Sequence, residues 1–351
     1  MRTPSTRGRE MPSNPLGPLS PPSSLFLLTL SISAVIAFLG TYLITPRMIE
    51  RLRYRKITGI DLHKRNRPRI PTMGGVIIAG GYFIGTLFLL VIFNGLFAEI
   101  SAATSSILMI CMIGMIDDIL DLSQRTRVFL PIIASLPLMV AVSSERTMLI
   151  PLVGEVSLGL LYPLLIVPIG IVAASNLTNM LAGMNGLEIG MGAIAVASLI
   201  ISAWISGKWT CMLILTPMLG ALLAFFRYNF YPARIFPGNS GTYLIGAVIA
   251  AAVILGDMEM LGVIALLPYI AEFFVKAGTL FQGECYGVLN PDGTLSPPNP
   301  NHIESLTHLI MRLRRSTEKE IVIRLWLLEA LTGALSIVTA YLSLYYVIFK
   351  P

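Results

Sequence analysis

The sequence predicts an all-α, polytopic integral membrane protein with about ten transmembrane helices, and three observations carry that prediction. Hydrophobic residues make up 55% of the 351 positions and charged residues only 13%, against about 25% charge in a typical soluble domain. Mean hydropathy is +0.77, and the apolar residues fall in long blocks. The basic residues concentrate in alternate loops between those blocks.

Residues 1–23, rich in Pro, Ser and Arg, cannot form a core and are expected to be disordered. They lack the apolar region and small-residue cleavage site of a signal peptide, and Met11 is a second candidate start. Residues 24–351 then form a single transmembrane domain. Apolar stretches of roughly 17–25 residues can cross a bilayer as helices. Ten segments fit: 24–45, 71–93, 100–116, 128–143, 156–174, 189–206, 210–226, 241–256, 260–276 and 325–348. Gly207 with Lys208 separates one close pair, and Asp257 with Glu259 another, so both pairs are expected to be tight helical hairpins.

Ten spans place loops alternately on two sides. One set comprises 46–70, 117–127, 175–188, 227–240 and 277–324. It holds 19 of the 25 basic residues when each is assigned to its nearer side. By the positive-inside rule this set is cytoplasmic, with both termini outside. The net charge of +6 therefore reports orientation and calls for no nucleic-acid partner. Cys111, Cys211 and Cys285 are odd in number and scattered, which argues against a disulfide scaffold or a zinc site.

All the polar motifs fall in the cytoplasmic set, as expected of one active site facing the cytosol. The loop GIDLHKRNRPRIPTMGG (59–75) is strongly basic; it anchors topology and attracts phosphate-bearing substrates. IGMIDDILDL (113–122) places Asp117, Asp118 and Asp121 at the end of an apolar stretch. Ionised carboxylates there are costly unless a cation or water meets them. Asp117 and Asp121 share a helix face, and Arg125 and Arg127 follow within two turns.

SNLTNMLAGMNGLE (175–188) offers Asn176, Asn179 and Asn185 in a Gly-containing loop. Asn carbonyls serve as Mg²⁺ ligands and read base edges; a plain Asn-Gly turn is the alternative. FRYNFYPARIFPGNSGTY (226–243) ends on Pro237, Gly238, Asn239, Ser240 and Gly241 before a new helix, an arrangement that suits either anion binding or an ordinary helix cap. The longest loop has His302, His308 and Arg312 as polar landmarks.

Over about residues 59–310 these motifs, in this order, resemble the polyprenyl-phosphate N-acetylhexosamine-1-phosphate transferases of glycosyltransferase family 4. The DD pair, NMLAGMNGLE and FRYNFYP-x5-FPGN look closest to the UDP-GlcNAc:dolichyl-phosphate GlcNAc-1-phosphate transferases. PTMGG is more similar to the bacterial phospho-MurNAc-pentapeptide transferases, and an archaeal enzyme fits that mixture. The resemblance implies that Asp117 and Asp118, with Asp121, form the catalytic acidic group near metal and lipid phosphate. It implies Mg²⁺, with Mn²⁺ as the alternative, on Asn179 and Asn239. Asn185 would read uracil, Phe236 would pack on it, and Arg127 would stand where eukaryotic relatives carry a phosphate-contacting lysine.

This sequence departs from the eukaryotic pattern at Asn239, where Asp is usual, so one negative charge is missing from the expected metal site. The pyrophosphate-binding arginines of the last loop have no clear match; His302, His308 and Arg312 are candidates for that work. The implied reaction joins a UDP-N-acetylhexosamine from the cytosol to a polyprenyl or dolichyl phosphate in the plasma membrane, releasing UMP. A homodimer is compatible with this reading. The alternatives are a phospho-MurNAc-pentapeptide-type transferase, a catalytically silent homologue acting as a partner, and a secondary transporter with acidic residues in broken helices.

Overall fold

A computed structural model describes residues 23–142, 147–150 and 154–348. The expected tail, apart from Ser23, lies outside those residues. Helix α1 (Ser24–Tyr54) starts at a Ser23 cap and runs on beyond the expected membrane boundary, with Arg51 and Arg53 in its last turn. The short hairpin β1 (Thr58–Ile60) and β2 (Arg69–Pro71) folds the first basic loop back toward α2 (Gly75–Ile92). Helix α3 (Phe97–Leu120) follows, then α4 (Gln124–Ala134) and α5 (Leu136–Ala141).

A second hairpin, β3 (Thr147–Ile150) with β4 (Gly154–Ser157), precedes a π-helical turn, Tyr162–Ile166, that opens into α6 (Val167–Met180). Helices α7 (Leu187–Ile205), α8 (Trp209–Asn229) and α9 (Gly238–Leu255) are continuous. The short helices α10 (Glu259–Ala265) and α11 (Leu267–Ala277) lead to β5 (Val288–Leu289) and β6 (Leu295–Ser296). Helices α12 (Leu306–Leu313) and α13 (Glu318–Ile348) complete the described chain.

Among the described residues, eight helices are long and apolar enough to cross a membrane, or nine if α10 and α11, bent by 65°, count as one. Pro268 explains the bend, because at the second position of α11 it has no N–H with which to continue α10. The expected span at 128–143 is two helices broken at Ser135. Pro131 and Pro137 remove two helical donors there, and both pieces fall short of a crossing. The expected span at 156–174 begins late, because 154–157 pairs as a strand, and it runs on to Met180. Asn176 and Asn179 therefore sit on helix, as do Asp117 and Asp118.

Helix α9 is the axis of the bundle: 89% of its apolar window is buried, against 28% for α1. Helices α2, α3, α6 and α8 all pack on it. Close approach requires small residues at the crossing. A Cβ on Gly114 of α3 would lie 2.5 Å from the Asn239 carbonyl oxygen. The ends of α3 and α6 and the start of α9 are thereby brought to one end of the bundle.

Candidate active site

Asp117 is the most enclosed of the three aspartates, with an exposure of 3%. Its Oδ1 accepts from the Leu122 N–H (2.8 Å) and from Arg127 Nε (3.0 Å). Its Oδ2 accepts from Asn239 Nδ2 at 3.0 Å and from the Tyr243 hydroxyl at 3.5 Å. The carboxylate is thus tied to α4 on one side and to the start of α9 on the other. Asp121 ends α3 in the left-handed region, φ 48°, and its exposed side chain accepts from Arg127 Nη2 at 2.8 Å. Arg127 therefore straddles both ends of the shared face, and its Nη1 has no protein partner among the described residues.

Asp118 has a different role. It accepts from the backbone N–H groups of Asn239 (2.7 Å) and Ser240 (3.1 Å) and from the Ser240 hydroxyl (3.0 Å). A carboxylate at a helix N-terminus is favoured by the helix dipole and by charge-assisted bonding. The first N–H groups of α9, which the sequence offers as an anion seat, are occupied by this side chain. Gly238 makes the cap feasible: its φ is +68°, and a Cβ there would sit 2.6 Å from Asp118 Oδ2.

Two cavities meet at this point. The larger, about 640 Å³, is lined mostly by apolar side chains of α4, α6 and α11, including Val128, Val172, Phe273 and Phe274, with Arg127 and Lys276 as its cations. The smaller, about 260 Å³, is polar and lies between the β1–β2 hairpin and the segment 182–184, with Asp118, Phe236, Asn239 and Tyr286 in its walls. Asn179 lines both. Its Oδ1 accepts from the Thr242 hydroxyl at 2.6 Å.

Of the residues singled out in the sequence, Asp118, Asn179, Phe236 and Asn239 share the smaller cavity, and Arg127 faces the larger. Asn185 lies behind the wall, where both ends of its amide are committed. Nδ2 donates to Glu318 (2.7 Å) and Asp61 (3.1 Å), and Oδ1 accepts from Ala233 N–H (2.6 Å). His302 and Arg312 are exposed and line neither cavity. His308 is buried, with Nε2 2.9 Å from the Tyr286 carbonyl, so it supports the segment carrying Tyr286 from behind.

Sequence reasoning missed a buried polar cluster behind the smaller cavity. Asp61, His63 and Glu318 place their ligand-type atoms within 4.8 Å of one another. The Lys64 ammonium lies among them, 2.5 Å from Glu318 and 3.3 Å from Asp61. Burial alone would lower the pKa of Lys64, but the hydrogen bond and charge of Glu318, with Asp61, leave it raised. Glu188 was also missed. It lines the smaller cavity and accepts from Gly183 N–H at 2.7 Å, which folds the 181–186 turn against the Tyr286 ring. The one sequence signal was DLHK, an acidic residue inside an otherwise basic loop.

The donors at the junction suit a hard divalent cation. Asn179, Asn239 and the two carboxylates offer only oxygen, and Asn239 Oδ1 accepts no hydrogen bond from the described residues. A polytopic helical bundle with a lipid-type groove opening onto a polar, carboxylate-lined pocket defines a class: membrane enzymes that join a lipid to a water-soluble substrate.

The comparisons specify that class. Residues 100–257 match glycosyl transferase family 4. A Saccharolobus solfataricus protein with the provisional name UDP-N-acetylglucosamine–dolichyl-phosphate N-acetylglucosaminephosphotransferase is 36% identical, over 89% of this chain and 97% of its own. The Dictyostelium discoideum protein of that name is 25% identical over 88% of each chain. A phospho-N-acetylmuramoyl-pentapeptide-transferase from Rubrobacter xylanophilus is 28% identical over 91% of this chain and 99% of its own. The chain belongs to glycosyl transferase family 4.

Proposed function

We propose that this protein transfers N-acetylglucosamine-1-phosphate from UDP-N-acetylglucosamine to a polyprenyl phosphate of the dolichyl type, releasing UMP. The observation that carries this reading is the meeting of an apolar and a polar cavity at Asn179, with Asp118 in the wall of the polar one and Asp117 buried behind, bonded to Arg127 and Asn239. The names of the relatives point the same way.

The polyprenyl chain lies along the apolar groove and its phosphate meets the free face of Arg127. The nucleotide occupies the smaller cavity, with uracil against Phe236 and the diphosphate toward Asn179 and Asn239. A lipid-phosphate oxygen attacks the sugar-bearing β-phosphorus, the bond from that phosphorus to the bridging oxygen breaks, and UMP departs with the electron pair. Phosphoryl transfer asks mainly for positioning and electrostatic stabilisation, because the transition state is loose. Asp117 supplies the positioning by holding Arg127 and Asn239 from opposite sides. Asp118 fixes the first turn of α9, so that the Asn239 side chain stays aimed at the junction.

Asn179 and Asn239 would hold Mg²⁺ or Mn²⁺, which when bound draws charge off the diphosphate as the leaving bond stretches. Both asparagines are neutral, so the diphosphate itself provides much of the charge that retains the cation. We place the site at the cytoplasmic face of the plasma membrane, on the strength of the basic loop 46–70, which carries nine Lys and Arg and whose residues 59–62 wall the polar cavity beside Asp118 and Asn239.

The test is a panel of radiolabelled UDP-sugars, including UDP-MurNAc-pentapeptide, given with polyprenyl phosphate to membranes containing the protein. Label from UDP-N-acetylglucosamine should enter the lipid extract. Label from the pentapeptide substrate alone would assign the other branch, and a silent panel would leave a non-catalytic homologue.

A further inference from the structure

The cluster behind the smaller cavity joins segments that are distant in sequence. Lys64 and Glu318 are 254 residues apart, and Asn185 and Glu318 are 133. Four stretches of chain converge there. The β1–β2 hairpin brings Asp61, His63 and Lys64, and the 181–186 turn brings Asn185. The 230–237 segment brings Tyr231, whose ring centroid is 4.1 Å from the Lys64 ammonium, and Ala233. Helix α13 brings Glu318. The last loop joins them where Gly287 N–H donates to His63 Nε2 at 3.2 Å.

These same stretches supply walls of the polar cavity: Gly59–Leu62, Ala182–Met184, Phe236–Asn239 and Tyr286. None of the residues lining the apolar groove belongs to the cluster. Asp61, His63 and Glu318 are spaced as divalent-metal ligands are, yet a lysine of this chain fills the seat between them. An ammonium donates three hydrogen bonds and offsets two carboxylates that would otherwise repel inside the protein.

We propose that Lys64 is a positioning residue that serves as the built-in cation of this cluster and clamps the walls of the nucleotide cavity at their working separation. The proposal rests on the nucleotide reading of that cavity. Lys64 touches no substrate; it acts through Asp61, Glu318 and Asn185. Its loss loosens nucleotide binding and leaves the lipid side unchanged.

The test measures UDP binding by calorimetry and KM for polyprenyl phosphate on detergent-solubilised protein. Lys64→Met keeps the side-chain stem and removes the charge. Its UDP Kd should rise about tenfold or more, the order expected when a pocket wall is displaced, while KM for the lipid stays within about twofold. Lys64→Cys should show the same defect, and alkylation with 2-bromoethylamine, which rebuilds an ammonium of matching length, should restore the affinity. Cys111, Cys211 and Cys285 are buried, which directs the reagent to position 64. The pair Asp61→Asn with Lys64→Met removes one charge of each sign, so it keeps the test open if the single variant does not fold. It should bind UDP as weakly as Lys64→Met. Wild-type UDP affinity in the folded variants would overturn the proposal, as would an equal loss on the lipid side. Wild-type protein that bound no UDP would instead overturn the nucleotide reading beneath it.

Discussion

The two cavities differ in what holds their walls. The apolar groove is walled by helices α4, α6 and α11, which pack because their side chains are apolar and the bundle closes around them. The polar cavity has the ends of α3, α6, α7 and α9 on one side, and turns and a two-stranded hairpin with little core of their own on the other. Those segments keep their places through Asp118 at the cap of α9, Glu188 on Gly183, and the Lys64 cluster. The groove depends on helix packing. The polar cavity depends on a few long-range polar contacts, and single substitutions should damage it selectively.

Asp117 touches both sides, and its variant should have the largest effect. Asp117→Asn should lower kcat about a hundredfold or more, the order associated with losing a positioned electrostatic group, with the helical content of the purified protein unchanged. Near-normal turnover would remove Asp117 from the junction. Next come variants specific to one side. Phe236→Ala should weaken UDP binding about tenfold, as expected for a lost base–aromatic stack, and spare KM for the lipid. Arg127→Ala should do the reverse, raising KM for polyprenyl phosphate about tenfold through loss of a charge-assisted contact. If both variants moved both constants equally, the two-cavity division would fail.

A smaller effect is expected at Asn239. Its Nδ2 donates to Asp117 Oδ2, so Asn239→Asp would set two carboxylates against each other unless a cation lies between them. The variant should reach half-maximal activity at a few-fold lower Mg²⁺ concentration and be less stable in chelator than wild type. An unchanged Mg²⁺ requirement would show that residue 239 is no metal ligand. The smallest effect belongs to Asp121, whose side chain is 95% exposed. An exposed ion pair contributes about 0–1 kcal/mol, so Asp121→Asn should cost at most about fivefold in lipid KM.

Hydropathy made the bundle and its long spans legible, and motif order made Asp118, Asn179, Phe236 and Asn239 legible as neighbours. It did not show where proline breaks a helix, at Ser135 and at Leu266, because an apolar run reads the same whether or not its backbone donors are present. Asn185 looked like a ligand-reading amide. Only in three dimensions does its side chain prove committed to Asp61, Glu318 and Ala233. Lys64 and Glu318 were illegible as a pair: one sits in a loop full of cations, and the other ahead of the expected last span, with 254 residues between them.

If the lipid phosphate attacks the β-phosphorus where the two cavities meet, a sugar phosphate rather than a sugar is transferred. Reconstituted protein should be given UDP-N-acetylglucosamine radiolabelled separately at the α- and the β-phosphorus, with polyprenyl phosphate and Mg²⁺. The β-label should enter the lipid extract with the sugar, and the α-label should leave as UMP. Release of UDP carrying both labels, with unlabelled sugar on the lipid, would contradict that attack.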